Sequence, residues 1–260
     1  MAYAAFDLTG SVALVTGGNR GIGFGMASAL AQAGADIVVW GRKADQNAAA
    51  AKELATFGGR VVTREVDVAI EEQVVEGMAA AVAELGRVDS VFANAGVSGS
   101  PGPFVDSTTE QLRAVFGPNV DGVYWTLREA SRHMVERANN GDPGGSLVGV
   151  ASLAAIEGTA RNQAYAATKG AVVSIVRGAA VELARWGVRA NAVLPGWIAT
   201  DMTASAQAEP RIAAKVLPRV PIRRWGDIAD FGGLAVYLAS SASSYHTGDS
   251  LVVDGGYSIF

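Results

Sequence analysis

The sequence predicts an α/β protein, a single doubly wound domain over residues 1–260 with a mostly parallel seven-stranded sheet and helices on both faces. Three observations predict it. Short β-branched apolar runs alternate with helical segments from end to end. The first run leads straight into a glycine-rich turn and a helix of small residues. Half of the 260 residues are hydrophobic, enough for a sizeable core, and no linker or solenoid-period repeat divides them.

Val12-Ala13-Leu14-Val15-Thr16 reads as the first strand, and Phe24 to Ala33 as a helix ending at Gly34. Ile37 to Trp40 is a second buried strand, Ala44 to Phe57 a helix closed by Gly58-Gly59, and Arg60 to Val66 a third strand. A helix at about Ile70 to Leu85 and a strand at Val88 to Ala93 continue the alternation. The long helix from about Thr109 to Arg137 is expected to break near Gly117-Pro118, because proline lacks the amide proton that the ladder needs. A loop at Asn139 to Gly145 precedes a fifth strand, Ser146 to Val150, a helix from Gln163 to Trp186 and a sixth strand, Val188 to Leu194. After Pro195-Gly196 the pattern weakens until a helix at Asp227 to Ser240 and a last strand, Ser250 to Val253.

Composition narrows the function. Formal net charge is -4 and the 21 basic residues are scattered, so nucleic-acid binding is not expected. Without cysteine there is no disulfide, thiolate metal site or thiol nucleophile. His133 and His246 stand in no metal-ligand spacing and read as surface or loop residues, so no metal centre is expected. The segment Met1 to Asp7 lacks the basic and apolar stretches of a leader, and no apolar run reaches membrane-spanning length. A cytoplasmic location is the expectation.

Thr16-Gly17-Gly18-Asn19-Arg20-Gly21-Ile22-Gly23 lies between the first strand and first helix, where backbone passes close to a pyrophosphate and the helix N-terminus receives its charge. Gly17 and Gly21 supply the turn and the approach, and Gly23 the close packing of helix on strand. This is the dinucleotide-binding arrangement of a Rossmann fold. A carboxylate at the end of the second strand would select a ribose 2′-hydroxyl, but Trp40-Gly41-Arg42-Lys43 stands there instead. Arg42 with Arg20 can clamp a 2′-phosphate, which favours NADP(H) over NAD(H); a solvated helix entrance is the plainer reading of Arg42 and Lys43. Asp67 is placed to meet the adenine or to cap the following helix, and Asn94-Ala95-Gly96 ends the fourth strand at the crevice edge.

Tyr165 and Lys169 are four residues apart in a predicted helix and therefore share one face. A free phenol has a pKa of about 10, and a neighbouring cation favours the phenolate. Lys169, one of only four lysines, is expected to lower the Tyr165 pKa, and Ser152 lies shortly upstream. Alone, such a pair is ordinary surface chemistry.

Taken together, Thr16-Gly17-x-x-x-Gly21-x-Gly23, Asn94-Ala95-Gly96, Asn119, Ser152, Tyr165-x-x-x-Lys169 and Pro195-Gly196-x-x-x-Thr200 resemble, in order and spacing, the short-chain dehydrogenase/reductase family in its compact form. The resemblance runs from about Asp7 to Tyr257. It implies hydride transfer between nicotinamide C4 and a carbonyl or secondary alcohol carbon, with Tyr165 as general acid or base. Ser152 would hold the substrate oxygen, Lys169 the nicotinamide ribose, and Asn119 a water that relays protons from the lysine. Asn19, Ile22, Val68, Pro195, Gly196, Ile198 and Thr200 join the implied cofactor contacts. Pro118 beside Asn119 departs from the family pattern, as does Gly149-Val150-Ala151, where a serine often precedes the catalytic one.

The resemblance also places a substrate lid at about 197–218, with Trp197, Ile198, Met202 and Val216 as an apolar cover, and a pocket wall of Ser98, Leu153, Ile156 and Trp197. Glu157 and Arg161 face either substrate or solvent. It implies a small-molecule substrate and a homotetramer or homodimer, the apolar C-terminus at Ile259 and Phe260 favouring the tetramer. A 3-oxoacyl-[acyl-carrier-protein] reductase is one subtype, although no dense basic patch is visible to dock an acidic carrier. An NAD-dependent alcohol or sugar dehydrogenase and a non-catalytic NADP-binding sensor are the other readings. The tyrosine–lysine spacing disfavours divergent enoyl reductases, and the glycine spacing disfavours nucleotide-sugar epimerases.

Overall fold

A computed structural model describes residues 3–260. Met1 and Ala2, the start of the segment Met1 to Asp7, lie outside the described residues. The chain runs β1 (Val12–Thr16), α1 (Gly21–Gln32), β2 (Asp36–Gly41), α2 (Ala44–Leu54), β3 (Val61–Glu65), α3 (Glu71–Leu85) and β4 (Ser90–Ala93). It continues through α4 (Thr109–Phe116), α5 (Gly122–Asn139), β5 (Gly145–Val150), α6 (Gln163–Leu183) and β6 (Val188–Pro195). Two short helices, α7 (Ala204–Ala208) and α8 (Pro210–Val216), precede α9 (Gly232–Ala239) and β7 (Ser250–Val253).

Among the described residues seven strands form one sheet in the order β3-β2-β1-β4-β5-β6-β7, and every pairing is parallel. Parallel strands need crossovers, and the crossover helices cover both faces. Alternate residues of each strand therefore enter different cores. Val12 and Leu14 of β1 pack with α3, α5 and α6, through residues such as Met78, Leu127 and Val176. Ala13 and Val15 pack with Met26 and Leu30 of α1 and Leu238 of α9. Among the described residues no helix is long and apolar enough to cross a membrane.

Two local details differ from the sequence pattern, and a third, the break at Pro118, falls where it is expected. The first helix starts at Gly21 rather than Phe24, since the Phe24 amide already donates to the Arg20 carbonyl at 3.2 Å. The helix expected from Asp227 begins as a 3-10 turn, Ile228–Phe231, under a capping box made by Asp227 and Asp230. The break at Pro118 is a π-helical turn, Gly117–Asp121, between α4 and α5.

His133 is not the surface residue expected. Half-buried on α5, its Nε2 accepts the Val88 amide proton at 3.1 Å. Burial and the nearby Arg137 and Arg87 guanidiniums push its pKa below the usual histidine value, against the pull of Asp89 and Glu136. Because the folded-state pKa is depressed, this stabilisation is complete above the unfolded value of about 6.5 and is lost as pH falls through the folded value. Urea titrations between pH 7.5 and 5 should show unfolding free energy dropping in wild type, with a smaller drop in His133→Gln, whose amide accepts without titrating. Equal slopes would remove His133 from the acid response.

Candidate active site

The order of strands reverses between β1 and β4, which leaves a crevice at their carboxyl ends. Thr16 holds it in shape: its hydroxyl accepts the Asn94 and Ala95 amide protons at 3.0 and 2.9 Å, and its carbonyl accepts from Asn94 Nδ2 at 2.9 Å. Gly17 and Gly21 take positive φ of 64° and 55°, which carries the backbone sharply from β1 into α1. A Cβ on Gly23 would run into Asn94 Nδ2 and the Gly17 carbonyl. The N-cap Arg20 gives no side-chain acceptor to α1, so the first-turn N–H groups stay open to an anion.

A cleft of about 390 Å³ follows this turn. Gly17, Asn19, Arg20, Ile22, Arg42, Asp67, Val68, Asn94, Ala95, Gly96 and Thr200 of the expected cofactor set line it. Gly21 and Gly23 shape its wall from behind; Pro195, Gly196 and Ile198 lie off it, with Ile198 buried in the core against α9. Sequence reasoning missed Gln46, Val97 and Asp201 as lining residues. Only Asp201 carried a signal, as an acid adjoining Thr200.

Neither arginine of the expected clamp stands free. Arg20 Nη1 is 3.2 Å from Asp201 Oδ2, and Arg42 Nη1 is 3.8 Å from Asp67 Oδ2. All four side chains reach solvent, so each pair contributes little to stability and can exchange its carboxylate for another anion. Asp67 also closes its own turn, Oδ1 accepting the Ala69 amide proton at 3.0 Å.

Beyond Gly96 the cleft borders Asn119 and Lys169, while Ser152, Tyr165 and Lys169 do not themselves line it. A Cβ on Gly96 would lie 2.9 Å from Asn119 Oδ1 and 3.6 Å from Lys169 Nζ. Asn162, at the N-cap of α6, donates to the Ser98 carbonyl at 3.1 Å and ties that helix to the rim. Lys169 is buried, its Nζ donating to the Val150 carbonyl at 2.9 Å and lying 5.5 Å from the Tyr165 ring centre. Burial without an anionic partner lowers its pKa to about 8.

The direction at Tyr165 is opposite to expectation. Burial pushes the phenol above its ordinary value, with the Ser152 hydroxyl pulling the other way, while Lys169 Nζ donates to the Val150 carbonyl. Ser152 Oγ accepts the Ala154 amide proton at 3.2 Å, and its own proton is the one that faces the Tyr165 oxygen. Ala151 is buried among aliphatic side chains, where a serine would need a partner.

Asn119 sits in the π-turn and is fully buried. Its amide differs from the expected water holder. Oδ1 accepts the Val97 amide proton at 2.8 Å, while Nδ2 donates to the Val97 carbonyl at 2.9 Å and Thr168 Oγ1 at 3.1 Å. Both donors are therefore spent on fastening the cleft rim to α6.

Thr200 caps a 3-10 turn, Asp201–Thr203, at the start of the irregular segment, followed by α7 and α8. Met202 is exposed and lines the cleft, Ile198 is buried in the core with α1, and Val216 is buried in a small separate cluster with Leu153 and Tyr257. Trp197 packs edge-on to Trp225 and Tyr257, with Leu153 in the same cluster. Arg161 takes a positive φ of 67° just before α6, and its carbonyl accepts the Gly102 amide proton at 2.8 Å.

A family model described as enoyl-(acyl carrier protein) reductase matches residues 17–258. Gluconate 5-dehydrogenase of Gluconobacter oxydans is 33% identical over 254 residues, 98% of this chain and 97% of that protein. L-rhamnose 1-dehydrogenase (NAD(P)(+)) of Azotobacter vinelandii is 36% identical over 94% of each chain. The crystal structure of a gluconate 5-dehydrogenase from Burkholderia cenocepacia in complex with NADP and tartrate superposes with TM-score 0.92 at 32% identity, covering 98% of this chain and 99% of that one. The chain belongs to the short-chain dehydrogenase/reductase family. It is an oxidoreductase of that family.

Proposed function

We propose that the protein is an NADP(H)-dependent enzyme interconverting a small polyhydroxylated carbonyl compound and its secondary alcohol, with Tyr165 as general acid or base. The observation that carries the reading is that Gly96 of the glycine-walled cleft borders the Lys169 ammonium, which shares one face of α6 with Tyr165, itself hydrogen-bonded to Ser152. The relatives named for gluconate and L-rhamnose support a hydroxylated substrate, and the NADP complex supports the cofactor.

The cradle fits a dinucleotide. The α1 N-terminus with Gly17 and Gly21 would take the pyrophosphate, Asp67 and Val68 the adenine, Arg20 and Arg42 the 2′-phosphate, and Asn94 to Gly96 with Thr200 the nicotinamide half. When bound, the nicotinamide supplies or accepts the hydride. Ser152 turns its O–H from Tyr165 to the substrate oxygen and holds that oxygen beside Tyr165. In reduction the Tyr165 hydroxyl gives its proton to that oxygen as negative charge develops, and in oxidation the phenolate takes it back. Lys169, still largely protonated at neutral pH, offers its remaining N–H groups to the ribose hydroxyls and balances the phenolate. Met202 and the helices after Thr200 act as a lid over residues 197–218, and a homotetramer covers the exposed Ile259 and Phe260.

Cofactor choice is separable from catalysis. Titration against tryptophan fluorescence should show tighter binding of NADPH than NADH. Arg42→Ala should weaken NADPH roughly tenfold or more and leave NADH within about twofold. Equal affinities in wild type would overturn the phosphate clamp.

A further inference from the structure

We infer that Asn47 is a positioning residue for the 2′-phosphate end of the cleft, its buried amide fastening Asn19 of the glycine turn to the end of β2. The inference rests on the NADP(H) reading above. Asn47, Ala50 and Leu54 form the buried face of α2, spaced as helical neighbours on a core-facing stripe. Such a position favours an apolar side chain, and a buried amide is tolerated only with its hydrogen bonds made.

Asn47 makes three. Nδ2 donates to the Gly41 carbonyl at 2.9 Å and the Arg64 carbonyl at 3.1 Å, which holds α2 to β2 and β3. Oδ1 accepts from Asn19 Nδ2 at 2.7 Å, reaching back to the turn between β1 and α1. The first two bonds serve packing of α2 on the sheet. The third adds nothing to that packing and instead fixes a residue that lines the cleft. Gly41 is part of the same seat, because a Cβ there would overlap both Asn19 Nδ2 and Asn47 Oδ1.

The seat has a specific consequence for one ligand group. Asn19 precedes Arg20, Gly41 precedes Arg42, and the Asn47–Asn19 bond joins the two segments. A ribose 2′-phosphate needs donors from both segments at once, and simultaneous hydrogen bonding tolerates only small displacements. On the same reading the pyrophosphate would sit at the α1 N-terminus and the adenine at Asp67 and Val68, and neither would need donors from both segments. Loosening it therefore falls on the 2′-phosphate selectively.

Calorimetric titration of the full chain with 2′,5′-ADP and 5′-AMP tests this. Wild type should prefer 2′,5′-ADP. Asn47→Leu should weaken 2′,5′-ADP roughly tenfold while 5′-AMP changes by less than about twofold, and adding it to Asn19→Ala should cost little more. Equal losses for both nucleotides, as a merely structural role would give, or no loss at all, overturn the inference. If Asn47→Leu does not fold, Asn19→Ala cuts the same bond from the solvent side, and unchanged selectivity in it overturns the inference equally. Wild-type protein with no preference for 2′,5′-ADP removes the NADP(H) reading and this inference together, whereas a preference that survives Asn47→Leu removes this inference alone.

Discussion

Tyr165→Phe should lower kcat by about a thousandfold, within the range that a positioned acid or base contributes, while NADPH affinity stays within about twofold. The variant removes one hydroxyl and leaves the ring to pack on α6. Burial strengthens the expectation. A phenol held above its ordinary pKa keeps its proton at neutral pH, which suits an acid in carbonyl reduction, and the Ser152 hydroxyl is the group that eases its ionisation. In the oxidation direction, activity should accordingly climb with pH as the phenolate forms. Stopped-flow measurement of nicotinamide absorbance separates the hydride step from cofactor binding. Undiminished turnover in the variant would remove Tyr165 from the chemistry.

Lys169→Met should abolish most turnover and yet stabilise the fold. Lowering a lysine pKa from 10.5 to about 8 means that the buried ammonium opposes folding at neutral pH by roughly 3 kcal/mol. Methionine fills the same space without a charge but leaves the Val150 carbonyl without its donor, so a net gain of about 2 kcal/mol is expected. The sign follows from proton binding. Below pH 8 the lysine is charged in both folded and unfolded chains and its penalty is constant. Between pH 8 and 10.5 the folded form releases its proton first, so wild-type stability rises relative to the variant until the difference closes. Chemical denaturation at pH 7 and pH 10 checks both points. A Lys169→Met protein less stable than wild type at pH 7 would mean that the ammonium is better compensated than its surroundings indicate.

Much of this was legible in the sequence because it depends on local pattern. Strands buried on both faces read as continuous apolar runs, as β1 does, and the partly exposed edge strand β7 still covers the residues expected of it. Pro118 announced a break in the long helix, since a missing amide proton acts wherever the helix goes. The glycine turn and the Tyr165–Lys169 pair were visible for the same reason, each being set by spacing within one turn.

What spacing could not show was the partner brought from elsewhere. Asp201 reaches Arg20 across 181 positions, and Val97 and Thr168 use both amide protons of Asn119 from two other segments. The direction of the Tyr165 shift was missed because adjacency on a helix says nothing of where Lys169 Nζ points or how dry the site is. Asn47 looked like one polar residue in an alanine-rich helix, and only its burial shows that its amide is spent inside the protein.

The central claim is hydride transfer from NADPH to a small hydroxylated carbonyl substrate. Incubating the protein with NADPH deuterated at the transferred C4 position, over a panel of keto-sugar acids and keto-sugars, tests it by mass spectrometry of the products. The account predicts a secondary alcohol carrying one deuterium at the former carbonyl carbon, formed by wild type and not by Tyr165→Phe. Reduced product without deuterium, or equal yield from the variant, would contradict it.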